Sequence, residues 1–391
     1  MRKSQSVDAV RVTSQYFRAA AGVPTAPHRA RSGDRPEPQV FEKIPVRERM
    51  KFSSPTPRAL PVWAAALIGG WLLLTLQPAV ALAAPPSPLN PASGGARNIA
   101  DLFWLTFWIA TAIFLVVEGL LVYTIFRFRQ KDPKFIPPKI HGSTPLEIAW
   151  TAAPAVVLLM VFVLMVRTMS ASAATPAEAM PIKVIGHQWW WEFQYPELGI
   201  TTANELYVPV GEPVGVELTS DNVIHSFWIP QLAGKMDVVP GQTNRMWFQA
   251  DRPGNFRGQC AELCGVQHAN MNFMVIALPP EQFELWAGRQ RLPRPETLAD
   301  SPGEQIFLSS GQCFICHTID GTTAQGLVGP NLTHFGSRQT IAGLMMENTP
   351  DNLARWLADP QAVKPLNKML LPRPLSPEEI EAVGQYLSGL P

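Results

Sequence analysis

The stretch GQCAELCGVQHANM, Gly258 to Met271, holds Cys260, Glu262, Cys264, His268 and Met271. It contains half of the chain's 4 cysteines. Thiolate and thioether are soft donors and imidazole suits copper, so together they favour copper over hard cations. Cys260 and Cys264 are four positions apart, so one loop can turn both sulfurs to the same side. His225, in NVIHSFWIP, lies 35 positions before Cys260, and a returning strand can bring it alongside. Two other chemistries use part of this set. Zinc accepts two cysteines and two histidines, and a disulfide between the cysteines suits an exterior compartment. Zinc leaves the methionine idle, and the disulfide explains neither histidine nor methionine.

The other two cysteines form Cys313-Phe314-Ile315-Cys316-His317, the C-x-x-C-H pattern of covalent haem attachment. Two thiols add to the porphyrin vinyl groups, and the next histidine is held under the iron. A thioredoxin-like redox pair shares the C-x-x-C part but needs a βαβ context, and no such alternation surrounds this segment.

These groups need a scaffold and a compartment. The chain has 391 residues, enough for two or three domains. Its net charge of +1 gives no electrostatic case for nucleic acid. Hydrophobic residues make up 47% and charged residues 16%, which points to membrane segments in a partly soluble protein. Residues 1–49 are polar, basic and proline-rich, and read as a disordered extension or a mis-assigned start, with Met50 the true one. Residues 50–83 read as a secretory signal: Lys51 and Arg58 precede an apolar run that ends at Ala81-Leu82-Ala83. An uncleaved third membrane helix is the alternative.

Residues 84–178 hold two apolar spans, at about 102–126 and 146–166, each long enough to cross about 30 Å of hydrocarbon. Arg127, Arg129, Lys131, Lys134 and Lys139 crowd the loop between them, which places that loop in the cytoplasm and both outer ends outside. Glu118 interrupts the first span, either as a functional carboxylate or as a helix–helix hydrogen-bonding group. At the second span, Thr144, Pro145 and Glu147 read as N-cap, N1 and N3 of a helix start.

Beyond the hairpin, residues 179–285 change to short β-rich runs such as IKVIGHQWWWEFQY, PVGVELTS and NFMVIAL. They predict a β-sandwich or Greek-key barrel with the cysteine loop between its last two strands. A proline-rich linker, 286–300, follows and should let the last module swing between partners. In 301–391, Ser301 and Ser376 each cap a helix with proline at N1 and glutamate at N3. Helices dominate that module.

The pattern Cys-x-Glu-x-Cys-x-x-x-His-x-x-Met with the upstream HSFW resembles the binuclear copper (CuA) site of cytochrome c oxidase subunit II. The membrane hairpin and GHQWWW extend the likeness over about 102–280. The tail, with C-x-x-C-H, GPNL and KPLNKM, resembles a class I cytochrome c. The implied fold is a multidomain membrane protein: a two-helix transmembrane hairpin, an all-β cupredoxin-like Greek-key domain and an all-α class I cytochrome c domain. The resemblance implies that Cys260 and Cys264 bridge two coppers, each ended by His225 or His268. Met271 is then a weak ligand to one copper, and the Glu262 carbonyl a ligand to the other. It further implies a magnesium at the Glu262 side chain, electron entry at Trp189 and a proton-path entrance at Glu147. Asp237 matches a family acid below the copper. Haem c would be held through Cys313 and Cys316, with His317 and Met369 as axial ligands. Met345 and Met346 compete with Met369 but fall at an expected helix, where a core role suits them. Leu366 stands where related loops often carry glycine.

The whole implies an electron relay in a bacterial-type plasma membrane with both redox domains outside. Its partners would be a large oxidase subunit carrying haem and copper (subunit I), a third subunit and a soluble exterior donor. Oxygen is reduced to water on the large subunit, with proton pumping. The rival readings are a copper-containing nitric oxide or nitrous oxide reductase subunit and a stand-alone carrier. Glu262 speaks against nitrous oxide reductase, whose loop usually has tryptophan there.

Overall fold

A computed structural model describes residues 86–391, except 133, 135, 137, 138, 140 and 141. The expected extension (1–49) and signal segment (50–83) lie outside the described residues. Two long apolar helices come first, α1 (Gly94–Arg127) and α2 (Thr144–Ala173). At 1.5 Å per residue, the 34 residues of α1 run about 50 Å, well beyond the hydrocarbon core. The excess lies at the N-terminal end, where small residues let the helix meet the β domain. Ala92, Ala96 and Ala100 are buried. The Ser93 hydroxyl accepts from Ala96 N–H and donates to the Leu232 carbonyl at 2.5 Å. Arg97 pairs with Asp251. The β domain is thus fastened directly to a long apolar helix. At α2 the N-cap is Ser143, not the expected Thr144, which is already helical. Ser143 has extended backbone, and its carbonyl accepts from Glu147 N–H at 3.0 Å.

The β domain is two five-stranded sheets. One has the order β3-β2-β1-β5-β8 and the other β4-β10-β9-β6-β7. The strands are β1 (Met180–His187), β2 (Trp190–Tyr195), β3 (Ile200–Ala203), β4 (Glu205–Pro209), β5 (Val214–Ser220), β6 (His225–Trp228), β7 (Met236–Val238), β8 (Asn244–Phe248), β9 (Gly254–Cys260) and β10 (Asn272–Leu278). Alternation of buried and part-buried residues along β2 and β5 marks half-covered strands. Phe227 and Phe273 stack at 4.5 Å, with Trp191 and Phe193 edge-on, and form the centre of the core. At Gly258 a Cβ would come 2.1 Å from the Phe273 ring, so only glycine fits there. Helix α3 (Pro280–Gln290) lays Trp286 flat on Tyr207 at 4.5 Å, and it continues to Gln290, inside the segment expected as linker.

The last module is built on α4 (Pro302–Leu308) crossing α7 (Pro377–Ser388), with α5 (Pro350–Ala358) and α6 (Pro360–Val363) beside them. The crossing is close enough that a Cβ on Gly303 would sit 2.2 Å from the Ala382 carbonyl. Ser376 and Glu379 form the expected reciprocal cap. Ser301 caps its helix, but Glu304 turns to Asp300 N–H at 2.7 Å instead of closing the box. The helix expected at Met345 and Met346 does not form. Ala342, Gly343 and Leu344 are all left-handed, and they turn the chain between β11 (Thr340–Ile341) and β12 (Met346–Glu347).

Candidate metal centre and haem pocket

Strand β9 ends at Cys260 and β6 begins at His225; the two strands are paired, so their ends meet. The chain leaves β9, loops through Cys264 and a short turn at His268–Asn270, and returns on β10. This brings the two sulfurs 3.7 Å apart as free thiols. The His225 Nδ1 is 4.0 Å and the Glu262 carbonyl 3.2 Å from Cys260 Sγ. The His268 Nδ1 is 3.7 Å and the Met271 Sδ 3.8 Å from Cys264 Sγ. Cys260, Cys264, His225 and Met271 are all buried.

The donor set answers the choice among metals. Two sulfurs are joined by two imidazoles, one thioether and one carbonyl. A single tetrahedral zinc takes four of these and strands two. Two metals sharing both sulfurs need two further donors each, which accounts for every group. The residues fit a binuclear soft-metal centre.

Neighbouring groups hold the donors in place. Asn222 Oδ1 lies 3.0 Å from His225 Nε2, which leaves Nδ1 facing the sulfurs. The Cys264 carbonyl accepts from Gln188 Nε2 at 2.8 Å and from Trp189 Nε1 at 3.0 Å. Gly265, at φ +117°, packs against the Trp189 indole, where a Cβ would come to 3.0 Å. Trp191 is the core member of the tryptophan run, edge-on to the His225 ring at 5.9 Å. Trp190 stacks on His187 at 4.1 Å. The hydrogen bond between the thiols holds Cys260 below the usual thiol range and pushes Cys264 above it. Asn222, Gln188 and Gly265 were not singled out from sequence; their roles depend on strand pairing and loop return.

In the last module, a 3-10 turn begins at Cys313 and is capped by Cys316. His317 Nδ1 lies 2.8 Å from the Pro330 carbonyl, so Nδ1 donates and Nε2 keeps a free lone pair. Burial lowers the His317 pKa, which favours the neutral, ligating form. A Cβ on Gly329, in GPNL, would press within 2.5 Å of this ring. Met369 packs against the module's apolar core; Asn367 Oδ1 accepts from its N–H at 2.7 Å and its carbonyl accepts from Gln361 at 3.2 Å. Leu366 is left-handed at φ +62°, the conformation that makes glycine favourable at this point of the loop. Met346 packs against the same core and Met345 is 36% exposed.

The structure does not bring every candidate to the centre. Glu118 is exposed within the apolar stretch of α1, Glu147 is exposed in the first turn of α2, and the Glu262 and Asp237 side chains are exposed.

Three family models match the chain. They are "Cytochrome C oxidase subunit II, transmembrane domain" over residues 89–167, "Cytochrome C oxidase subunit II, periplasmic domain" over 198–278, and "Cytochrome c" over 301–391. A cytochrome c oxidase subunit 2 of Alkalihalophilus pseudofirmus is 39% identical over 312 residues, 77% of this chain and 90% of the relative. That of Bacillus subtilis is 33% identical over 327 residues, 78% of this chain and 91% of the relative. Among solved structures, the periplasmic domain of subunit II of the Bradyrhizobium japonicum oxidase is 32% identical and covers 30% of this chain and 97% of its own, with a TM-score of 0.30.

Proposed function

Because the chain belongs to the cytochrome c oxidase subunit 2 family, we propose that it carries electrons one at a time from an exterior donor, through a haem held by its last module, to a copper pair at Cys260 and Cys264. The chain is a membrane-bound subunit of a haem–copper oxidase, an oxidoreductase complex, with a copper-binding domain and a haem-binding cytochrome c domain. The observation that carries the finer reading is the convergence of two sulfurs, two imidazole Nδ1 atoms, a thioether and the Glu262 carbonyl in one buried cluster. A copper pair bound there supplies a low-reorganisation acceptor, because its charge is shared over both thiolates.

The chain's own residues do the positioning. Cys260 and Cys264 would hold the two metals between them, with His225, His268, Met271 and the Glu262 carbonyl as the further donors. Burial of Cys260, Cys264, His225 and Met271 keeps water from the sulfurs. Trp189 is the electron entrance: its indole N–H bonds the carbonyl of a bridging cysteine. Cys313 and Cys316 would hold the haem covalently, and His317, oriented by the Pro330 carbonyl, and Met369, presented by Asn367, would be its iron ligands. His–Met ligation raises a haem's potential, which suits its place next to copper.

The remaining roles follow the family reading. Both redox domains face the periplasm. The partners are a large subunit that reduces oxygen to water with proton pumping, a third subunit and a soluble donor. The exposed Glu262 side chain would reach a magnesium at the large-subunit interface, and Glu147 would open a proton path. The test is Cys260→Ser in the assembled oxidase. The donor should still reduce the haem, while oxygen consumption falls to background. Undiminished oxygen consumption in that variant would refute the relay.

A further inference from the structure

The modules meet through buried polar contacts, and one of them involves a cation. Lys364 begins KPLNKM, the loop that carries Met369, yet it is only 4% exposed. An ammonium has three donors and no acceptor, and a buried one is costly unless all three are used. Here Nζ donates to the carbonyls of Trp189 at 2.9 Å, Asn270 at 3.0 Å and Ala342 at 3.2 Å. Those carbonyls come from three separate segments: the tryptophan run, the copper loop and the turn between β11 and β12. The next residue repeats the contact, since Gln267 Nε2 donates to the Pro365 carbonyl at 2.5 Å. Gly343 lies so close that a Cβ would come 2.9 Å from the Asn270 carbonyl.

A second buried charge secures the other side of the joint. Glu205, 2% exposed, accepts from Gln339 N–H and Thr340 N–H at 2.9 Å each and from the Thr340 hydroxyl at 3.0 Å. Each charge keeps one bond within its own module, Lys364 to the Ala342 carbonyl and Glu205 from the Tyr207 hydroxyl at 3.2 Å. The remaining bonds cross the joint: Lys364 reaches out of the cytochrome module and Glu205 out of the sandwich, each to polar groups of the other. Such contacts fix an orientation more than they add affinity, because a separated pair would simply rehydrate. The expectation that the linker lets the module swing gives way, in this structure, to a docked joint.

We propose that Lys364 is a positioning residue for electron transfer: it pins the Met369 loop to the Trp189 backbone and the copper loop, so that haem and copper exchange electrons in one fixed arrangement. This rests on the relay reading above. The exchange moves one electron and no atoms; the haem iron is oxidised and the copper pair reduced. Lysine suits the position better than arginine, since three convergent carbonyls match a three-donor ammonium and not a planar fork.

The experiment uses the full oxidase, wild type and Lys364→Met, with two readouts. Amide hydrogen exchange at Gln339 and Thr340 reports docking without reference to turnover. Laser-initiated single-electron kinetics report transfer from haem to copper. With both metal spectra intact, Lys364→Met should speed exchange and slow transfer, each by about tenfold or more; Lys364→Arg should lie on the slow side too. Transfer and exchange both within about twofold of wild type would overturn the latch while leaving the relay standing. Should Lys364→Met fail to assemble, the wild-type exchange decides: unprotected Gln339 and Thr340 amides would mean that the docked arrangement is not populated. Failure of the relay itself would look different, as a wild-type oxidase with protected amides and no haem-to-copper transfer.

Discussion

Removing the Asn222 side chain should weaken copper binding without touching a ligand. Its Oδ1 lies 3.0 Å from Nε2 of His225, a residue with no solvent exposure. That contact sets the tautomer, with the proton on Nε2 and the lone pair on Nδ1 toward the sulfurs. In Asn222→Ala the buried N–H loses its acceptor, at a cost of about 1–3 kcal/mol. Partners of this kind are typically worth about 10–100-fold in metal affinity, or about 1.4–2.7 kcal/mol. Asn222 is itself only half-buried, so water can partly replace it, and the expected loss lies near the tenfold end. Asn222→Asp keeps an acceptor and should hold affinity near wild type. The assay is chelator competition on the purified oxidase, followed by the electron resonance signal of the copper pair. Equal affinity in wild type and Asn222→Ala, or an Asp variant as weak as the Ala variant, would refute the orienting role.

Three more outcomes are expected. Burial alone would lower the His187 pKa, but hydrogen bonds to Glu192 at 3.1 Å and Asp221 at 2.6 Å outweigh it and raise the pKa above the ordinary value. The stabilisation is therefore full below about pH 6.5 and fades as pH rises through the raised value. His187→Gln should cost roughly 1–3 kcal/mol at pH 6 and clearly less at pH 9, read as thermal loss of the copper absorption. Leu366→Gly should stabilise the cytochrome module by about 1 kcal/mol, because a left-handed L-residue costs about 1–2 kcal/mol and this side chain is exposed; a lower haem-detected melting temperature would contradict it. Met369→Ala should shift the haem away from low-spin His–Met absorption, whereas Met345→Ala should leave the spectrum unchanged.

Much of the centre was legible because its donors lie in one short loop. Spacing alone put two thiols, an imidazole and a thioether together, and only His225 had to come from another strand. A returning strand could place it there, and the family likeness implied its part as a ligand. Within the run Trp189–Trp191, composition required a core member but could not choose it; strand register does, by turning Trp191 inward and Trp190 onto His187. Local signals misled where two neighbours could play the same part. Ser143 and Thr144 are both good caps, and the chain takes the first. Met345 and Met346 look helical by composition, but three successive left-handed residues before them force a turn. Lys364 and Glu205 were invisible, since a buried charge has no sequence signature until its distant partners are known. The polar, proline-rich linker read as free, although the contacts that restrain the module lie elsewhere, at residues 339–340 and 364–365.

Metal analysis of the purified oxidase, wild type against a Cys260→Ser, Cys264→Ser double variant, tests most directly whether Cys260 and Cys264 hold a pair of metals or one. The variant should lose two coppers per chain while keeping its covalent haem. Loss of a single copper, loss of zinc in its place, or no change in metal content would contradict the account.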